Sequence, residues 1–143
     1  MISDYKIVIP SKNRLTLITK NVIEFLIKHN LFYSKEIFIF VNANDFISYD
    51  NLFNDFDNIY VILGEDGLVN QRNCIRDYFM ENENLLFLDD DLLDIIPMKG
   101  KEIIDLDDKI KSIFEYMKLH NVYLGSINPT NNPYFCSDEW LLG

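Results

Sequence analysis

The sequence is poor in basic residues, and this shortage limits the partners that the protein can bind. Thirteen Lys and Arg face 23 Asp and Glu, which gives a net charge of −10 over 143 residues. Such a charge disfavours contact with nucleic acid or an anionic membrane, since both depend on neutralising negative charge. Direct binding to nucleic acid would therefore need a local basic patch. Six of the thirteen basic residues do lie within the first 35 positions.

Cysteine and long apolar runs are also scarce. Cys74 and Cys136 form no Cys-x-x-Cys pair, which argues against a zinc knuckle or a disulfide scaffold and predicts two buried free thiols. No apolar run approaches the ~20 residues needed to cross a bilayer, so no membrane span is expected. The first residues also lack a secretory cleavage pattern. These absences predict a cytoplasmic protein.

Several common catalytic motifs are missing as well. The chain has no glycine-rich dinucleotide fingerprint, no P-loop and no Gly-x-Ser-x-Gly elbow. A Rossmann dehydrogenase, a P-loop kinase and a serine hydrolase of that type are therefore disfavoured. His29 and His120 lie late in predicted helices, where favourable placement at a helix end explains them better than catalysis does.

What the chain does have is an alternation of apolar strands and amphipathic helices. With 48% apolar and 14% aromatic residues, residues 1–143 are expected to form one packed domain. The apolar spacing predicts strands at 5–9, 36–41, 59–63, 85–88 and 122–124, and helices at 14–29, around 49–53, at 67–82 and at 106–119. Asp105 or Asp107 is available to cap the last helix. This order predicts an α/β three-layer sandwich with a mainly parallel sheet, whose ligands bind at the carboxyl ends of the strands.

Three consecutive carboxylates follow the predicted strand at 85–88. Asp89, Asp90 and Asp91 repel one another, so they need solvent, hydrogen-bond donors or a cation. In an extended segment, Asp89 and Asp91 would point the same way and hold a divalent metal, while Asp90 would face elsewhere. The alternative is an acidic loop in which Asp91 or Asp94 caps a short helix.

Two further segments are suited to bind anions. Gly67 begins a predicted helix that carries Gln71 and Arg72 in its opening turns, where the helix dipole and the Arg72 charge favour a phosphate. The alternative is that Arg72 pairs with a local acid, Glu65, Asp66 or Asp77. Residues 10–14 form the first strand-to-helix turn, a frequent nucleotide site in α/β sheets, although Ser11 or Asn13 could instead cap the helix.

Four segments together resemble a known enzyme family. IVIPSKNR, EIFIFVNAND, GLVNQRN and LLFLDDD occur in the order and approximate spacing found in the nucleotide-sugar-binding half of GT-A-fold glycosyltransferases, a Rossmann-related fold. The sequence resembles the family-2-like enzymes broadly. Within them it is similar to the viral and phage glycosyltransferases associated with TET/JBP-type base modification, which also fits the stretch Asn-Pro-Tyr-Phe at 132–135. A viral protein would act in the host cytoplasm.

The resemblance implies a role for each matching residue. The turn after the first strand would line the nucleotide, and Asn42 or Asn44 would lie where such enzymes contact the base. Gln71 and Arg72 would face the diphosphate. Asp89 would contact the ribose or a metal-bound water, and Asp91, in the DXD motif, would hold Mn²⁺ or Mg²⁺ bridging the diphosphate. The nucleotide-contacting set is thus Pro10, Ser11, Lys12, Asn13, Arg14, Asn42, Asn44, Gly67, Gln71, Arg72 and Asp89.

The implied function is a metal-dependent glycosyltransferase, which moves a sugar from a UDP- or GDP-sugar to a hydroxyl acceptor on a modified nucleobase, a glycan or a protein. Family members continue well beyond the acidic motif into an acceptor-binding half, so the chain is expected to cover mainly the nucleotide-sugar-binding half. Near its end, Asp138 and Glu139 are more simply interpreted as a solvated tail than as a catalytic base, which is not identified. The alternatives are a truncated or degenerate nucleotide-sugar-binding module without turnover, and a nucleotidyltransferase of related fold. Homo-oligomerisation is left open.

Overall fold

The computed structural model of the chain describes residues 4–97, 102 and 105–127. The chain divides into two compact units, residues 1–94 and residues 95–143. The first unit contains the sheet and all but one of the described helices, and each unit is described below by itself.

Four parallel strands form the sheet of the first unit. They are β1 (Lys6–Pro10), β2 (Ile37–Val41), β3 (Ile59–Leu63) and β4 (Leu85–Phe87), in the spatial order β3-β2-β1-β4. Ile9 pairs with Ile39 in the register of β1 and β2, and Val8 pairs with Phe87 in that of β1 and β4. The order reverses at β1, because β2 and β3 lie on one side of it and β4 on the other. Ligands of open α/β sheets bind at such a reversal, beyond the carboxyl ends of the strands.

Helices connect the strands of this unit. The first connection is a continuous helical stretch of α1 (Leu15–Leu17), a π-helical segment (Ile18–Ile23) and α2 (Glu24–Lys28). The second is α3 (Ala43–Phe53), and the third is α4 (Leu68–Tyr78). His29 directly follows α2 as its C-cap, as predicted.

The core of the first unit lies on both faces of the sheet. Val8, Phe38 and Phe40 point to one face and pack with Ile75 of α4. Because side chains alternate along a strand, Ile7, Ile9, Ile37 and Ile39, all fully buried, point to the other face. Right-handed crossovers place the helical stretch 15–28 and α3 on that second face. The predicted α/β architecture with a parallel sheet is therefore confirmed, with helices flanking the sheet.

The second unit contains helix α5 (Leu106–Leu119). Asp105 caps it by accepting a hydrogen bond from the backbone N–H of Asp108 at 3.0 Å, and His120 is its C-cap, as predicted. The strand predicted at 122–124 is wrong. The Val122 N–H bonds back to the Met117 carbonyl at 2.8 Å, and Tyr123 and Leu124 are about nine-tenths exposed, so this apolar run has no sheet neighbour among the described residues.

Two helix boundaries also differ from the prediction. The helix expected around 49–53 begins at Ala43, because Asn42 accepts a hydrogen bond from the Asp45 N–H and starts it six residues earlier. The helix expected to reach residue 82 ends at Tyr78. No helix among the described residues is long and apolar enough to cross a membrane, which agrees with the expectation from the sequence.

Candidate functional site

Polar residues follow all four strands at the carboxyl edge of the sheet. The turn after β1 carries Ser11, Lys12, Asn13 and Arg14, directly beyond Pro10, which pairs with Phe40 at the end of its strand. Asn42 follows β2, Asp66 follows β3, and three aspartates follow β4. Side-chain hydrogen bonds connect these four loops. We refer to these residues together as the carboxyl-edge cluster.

Arg14 connects the first and last of these loops. Its Nη1 donates to Asp90 Oδ1 at 2.9 Å and to Asp91 Oδ2 at 3.0 Å. The Asp90 side chain is 12% exposed, whereas those of Arg14 and Asp91 are 44% and 56% exposed. The charge and hydrogen bond of Asp90, followed by the charge of Asp91, raise the pKa of Arg14 above its ordinary value. Arg14 is therefore a permanent cation at the switch point of the sheet.

A buried pair of hydroxyl groups holds the Arg14–Asp90 contact from the buried side. The Ser11 hydroxyl donates to Asp90 Oδ2 at 2.8 Å and lies 2.7 Å from the Tyr49 hydroxyl. Since the one Ser11 proton goes to Asp90, the Tyr49 hydroxyl donates to Ser11 and accepts from the Arg14 backbone N–H at 3.1 Å. Burial raises the pKa of Tyr49, so its hydroxyl stays protonated and able to donate. Helix α3 thereby holds both the turn after β1 and the acidic turn after β4.

The β1 turn is also bound to the start of α3. The Asn13 N–H donates to Asp45 Oδ2 at 2.8 Å, and Asn13 has a positive φ of 53°, which Asn tolerates better than most residues. Asn13, Arg14, Asp45 and Tyr49 line a cleft of about 320 Å³ between α1 and α3, together with Leu15, Thr16, Leu17 and Ser48. Two residues of the predicted nucleotide-contacting turn thus line an open cleft.

A second polar group joins the loops after β1, β2 and β3. Asp66 Oδ1 accepts hydrogen bonds from Asn42 Nδ2 at 3.0 Å and from Lys12 Nζ at 3.2 Å. The bond from Asn42, followed by that from Lys12, lowers the pKa of Asp66. Asn42 is buried and caps α3, whereas Asn44 is exposed in the first turn of that helix. Of the two candidates for base contact, Asn44 is the accessible one.

The start of α4 is formed by two glycines and a buried glutamine. Gly67, the N-cap, has a φ of 86°, a conformation that glycine adopts without cost. Gln71 is buried, and its Oε1 accepts a hydrogen bond from the Glu65 N–H at 2.7 Å. A Cβ on Gly64 would lie 2.0 Å from that same oxygen, so Gln71 fills the space that Gly64 leaves. Gln71 therefore orders this loop, a role that the sequence did not predict.

Arg72 follows Gln71 and has the opposite environment. It is exposed, and it forms no ion pair or hydrogen bond with any residue that the structure describes. The pairing with Glu65, Asp66 or Asp77 considered above does not form, because Asp66 binds Lys12 and Asp77 binds Arg76. Within the described part of the chain, Arg72 is thus a cation available to an anionic ligand.

The acidic turn differs from the extended segment that the sequence suggested. Strand β4 ends at Phe87, and the Leu92 N–H bonds to the Asp89 carbonyl at 3.2 Å, which closes a turn. Alternation of side chains does not hold in a turn, so Asp90 and Asp91 share Arg14, while the exposed Asp89 lies apart from that contact. The expectation that Asp90 faces elsewhere is wrong: Asp90 is the buried centre of the cluster.

The capping alternatives can also be compared with the structure. The N-cap of α1 is Arg14, without a side-chain hydrogen bond, so neither Ser11 nor Asn13 caps the helix. Asp94 binds Lys28 and the His29 ring instead of capping a helix, and Asp91 binds Arg14. Cys74 is a half-buried free thiol. Cys136, Asp138, Glu139 and the stretch at 132–135 lie outside the described residues.

The donor set at the acidic turn fits one kind of metal site. Across residues 4–97, 102 and 105–127, no three Asp, Glu, His or Cys side chains come together as a complete metal-binding group. Mg²⁺ commonly uses one or two protein carboxylates and completes its shell with water and substrate phosphates. The exposed Asp89 and Asp91 can supply such carboxylates, with Asp91 shared with Arg14, whereas the buried Asp90 is bound by both Ser11 and Arg14. The residues present therefore fit a divalent ion shared with a phosphate ligand.

Sequence reasoning missed three residues, namely Asp66 of the carboxyl-edge cluster and Asp45 and Tyr49, which bind that cluster from α3, and it also missed the anchoring role of Asp90. A signal for two of them was present. Asn42 and Asp45 have the spacing of a helix cap, and Tyr49 follows Asp45 by four residues, which places both on one helical face. Comparisons of the chain with known protein families, curated proteins and solved structures found no match.

Proposed function

We propose that the chain is a metal-dependent glycosyltransferase that binds a UDP- or GDP-sugar at the carboxyl-edge cluster and transfers the sugar to a hydroxyl acceptor. The observation that carries the proposal is the Arg14 bridge to Asp90 and Asp91 at the switch point of a parallel sheet. It sets a permanent cation beside one buried and one exposed carboxylate at the place where α/β sheets bind their ligands.

The charges around this point suit a nucleoside diphosphate leaving group. When the glycosidic bond to the donor breaks, negative charge grows on the diphosphate, and cations stabilise that charge better than proton transfer does. The turn after β1 supplies the cations Lys12 and Arg14, and the opening turns of α4 supply Arg72, which has no competing partner among the described residues. Asp89 and Asp91 would hold Mn²⁺ or Mg²⁺, which supplies further positive charge to the diphosphate when bound.

The nucleoside would occupy the cleft between α1 and α3. Asn13 and Arg14 line that cleft, and Asn44 is exposed in the first turn of the same α3 helix. The sequence resemblance to GT-A glycosyltransferases agrees with this placement, since it assigns nucleotide contact to the same turn. The acceptor class stays open among a modified nucleobase, a glycan and a protein.

The test measures UDP and GDP binding by calorimetry, with and without Mn²⁺, in the wild type, Asp91→Asn and Asp94→Asn. We expect one nucleotide to bind in a Mn²⁺-dependent way and Asp91→Asn to lose that dependence, with affinity falling about tenfold or more. Asp94→Asn is the matched control, because Asp94 binds Lys28 and His29 instead of Arg14.

Equal Mn²⁺-dependent affinity in the wild type and Asp91→Asn would overturn the metal assignment. Transfer is tested separately by release of free UDP or GDP from the donor sugar that binds. Tight donor binding without any release, to water or to hydroxyl acceptors, would identify a binding module without turnover. Preference for a nucleoside triphosphate would instead indicate a nucleotidyltransferase.

A further inference from the structure

The Arg14 side chain divides its contacts unequally among its donors. A guanidinium has three nitrogens, and Arg14 uses Nη1 for both carboxylates. With the described residues, Nε and Nη2 form no hydrogen bond. Because this side chain is 44% exposed, its remaining donors are available to a ligand without breaking a contact.

The two carboxylates that share Arg14 are held very differently. Asp90 is also bound by the Ser11 hydroxyl, and Ser11 is in turn bound by Tyr49, so the position of Asp90 is fixed from the buried side. Asp91 is more than half exposed, and Arg14 is its one side-chain partner in the described part of the chain. The contact to Asp91 is therefore the one that can be released at low cost.

A divalent cation and Arg14 compete for Asp91. While the guanidinium stays 3.0 Å from Asp91 Oδ2, a metal on the same carboxylate would meet a second positive charge at close range. An anion removes this conflict by taking the guanidinium for itself. A diphosphate offers several oxygens, which the planar fork of arginine binds well.

We propose that Arg14 is an exchangeable counter-cation, which occupies Asp91 in the ligand-free protein and moves to the diphosphate on binding, so that Asp91 becomes available to the metal. This inference rests on the proposed function and adds that nucleotide and metal bind to the carboxyl edge together, whereas the metal alone binds weakly. Asp90 keeps its bond to Ser11 throughout, and the bond from the Arg14 backbone N–H to Tyr49 holds the base of the moving side chain.

The experiment measures Mn²⁺ binding without nucleotide, by electron paramagnetic resonance of the free ion. The variants are Arg14→Met, which keeps an unbranched stem and removes the guanidinium with its charge, and Arg76→Met, a matched control whose guanidinium binds the exposed Asp77 on α4. We expect Arg14→Met to bind Mn²⁺ about tenfold more tightly than the wild type, a change typical of coupled sites, and Arg76→Met to stay within about twofold. At saturating Mn²⁺, Arg14→Met is expected to bind UDP or GDP about tenfold more weakly.

Unchanged or weaker Mn²⁺ binding by Arg14→Met overturns the exchange, while Mn²⁺-dependent nucleotide binding by the wild type keeps the proposed function. Absence of nucleotide binding by the wild type overturns both. If circular dichroism shows that Arg14→Met does not fold, Arg14→Lys takes its place. Its single ammonium retains the charge beside Asp90 but lacks the reach of the fork, so Mn²⁺ affinity above that of the wild type is expected, and wild-type affinity overturns the exchange.

Discussion

Charged residues join strands β1 and β4 at both ends, but the two junctions are organised differently. At the amino end, Lys6 pairs with Glu83, the Lys6 N–H donates to the Asn84 carbonyl at 2.9 Å, and Asn84 binds the Asp4 carbonyl. There Lys6 and Glu83 form a single ion pair. At the carboxyl end, one arginine serves two carboxylates, and a third, Asp89, is exposed beside them.

On the proposed function, this difference distinguishes a structural junction from a ligand-binding site. The one-to-one pair at the amino end is complete in the folded protein and gains nothing from a ligand. The carboxyl end has an excess of negative charge and donors on Arg14 that are open to solvent, so a metal and an anion would complete it. A balanced pair at one end of the sheet and uncompensated charge at the other is the arrangement expected where ligands bind at the carboxyl edge.

The largest effect on stability is expected from Asp90→Ala. The substitution removes the buried acceptor of the Ser11 hydroxyl and should lower the free energy of unfolding by about 2–3 kcal/mol. The measurement is urea denaturation followed by circular dichroism. Asp89→Ala is the matched control, and because Asp89 is exposed, its effect should stay within about 0.5 kcal/mol. Equal losses from the two variants would contradict the assignment of Asp90 as the anchor.

A smaller effect is expected from Tyr49→Phe. The hydroxyl that is lost bonds to Ser11 at 2.7 Å in a buried setting and accepts from the Arg14 N–H at 3.1 Å in a partly buried one. We expect a loss of about 1–2 kcal/mol in the free energy of unfolding, since the Ser11 hydroxyl and the Arg14 N–H each lose a hydrogen-bond partner. Tyr33→Phe is the control, because Tyr33 is 77% exposed. Stability equal to that of the control would show that the hydroxyl pair does not hold the turn.

The smallest effect is expected at the amino end, from Glu83→Gln, and it should depend on pH. The hydrogen bond that Lys6 donates to Glu83 lowers the pKa of Glu83 and raises the pKa of Lys6. A lowered carboxyl pKa stabilises the fold above its ordinary value of 4.5, and this stabilisation is lost as pH falls through the lowered value. A raised lysine pKa keeps its contribution up to the ordinary 10.5 and loses it above.

The free energy of unfolding of the wild type should therefore exceed that of Glu83→Gln by at most about 1 kcal/mol at neutral pH, and the difference should decrease in acid. Urea denaturation at a series of pH values measures it, with the exposed neighbour Glu81→Gln as the control. A difference that persists at full size well below pH 4.5 would indicate packing or a neutral hydrogen bond instead of the ion pair.

The sequence predicted the four strands of the sheet and the edge at which polar residues gather, because both depend on local patterns. Uniformly apolar runs identify buried parallel strands, and polar residues after them lie at the carboxyl edge by topology alone. The beginning of α3 was missed because its polar first turn hides the helical period, although Asn42 signals the cap. At 122–124, three apolar residues were too few to distinguish a strand from the exposed segment that follows α5.

The hydrogen bonds within the site could not be predicted in the same way. The bond between Ser11 and Asp90 joins residues 79 positions apart, and that between Ser11 and Tyr49 spans 38 positions. Such contacts depend on the exact path of a turn, which has no periodic signal. Gln71 shows the same limit, because its amide lies over Gly64 and orders the loop, whereas its position after Gly67 suggested contact with a phosphate.

The central claim is that the carboxyl edge binds a nucleoside diphosphate or its sugar together with a divalent metal. The most direct test is the thermal midpoint of unfolding in the presence of UDP, GDP, their sugar conjugates and ATP, each with and without Mn²⁺. A ligand at ~100 times its dissociation constant adds about 2.7 kcal/mol, which moves the midpoint by several degrees for a domain of this size. We expect the thermal midpoint to rise in a Mn²⁺-dependent way with one nucleoside diphosphate or its sugar. An unchanged midpoint with every nucleotide would rule out nucleotide binding at the carboxyl edge.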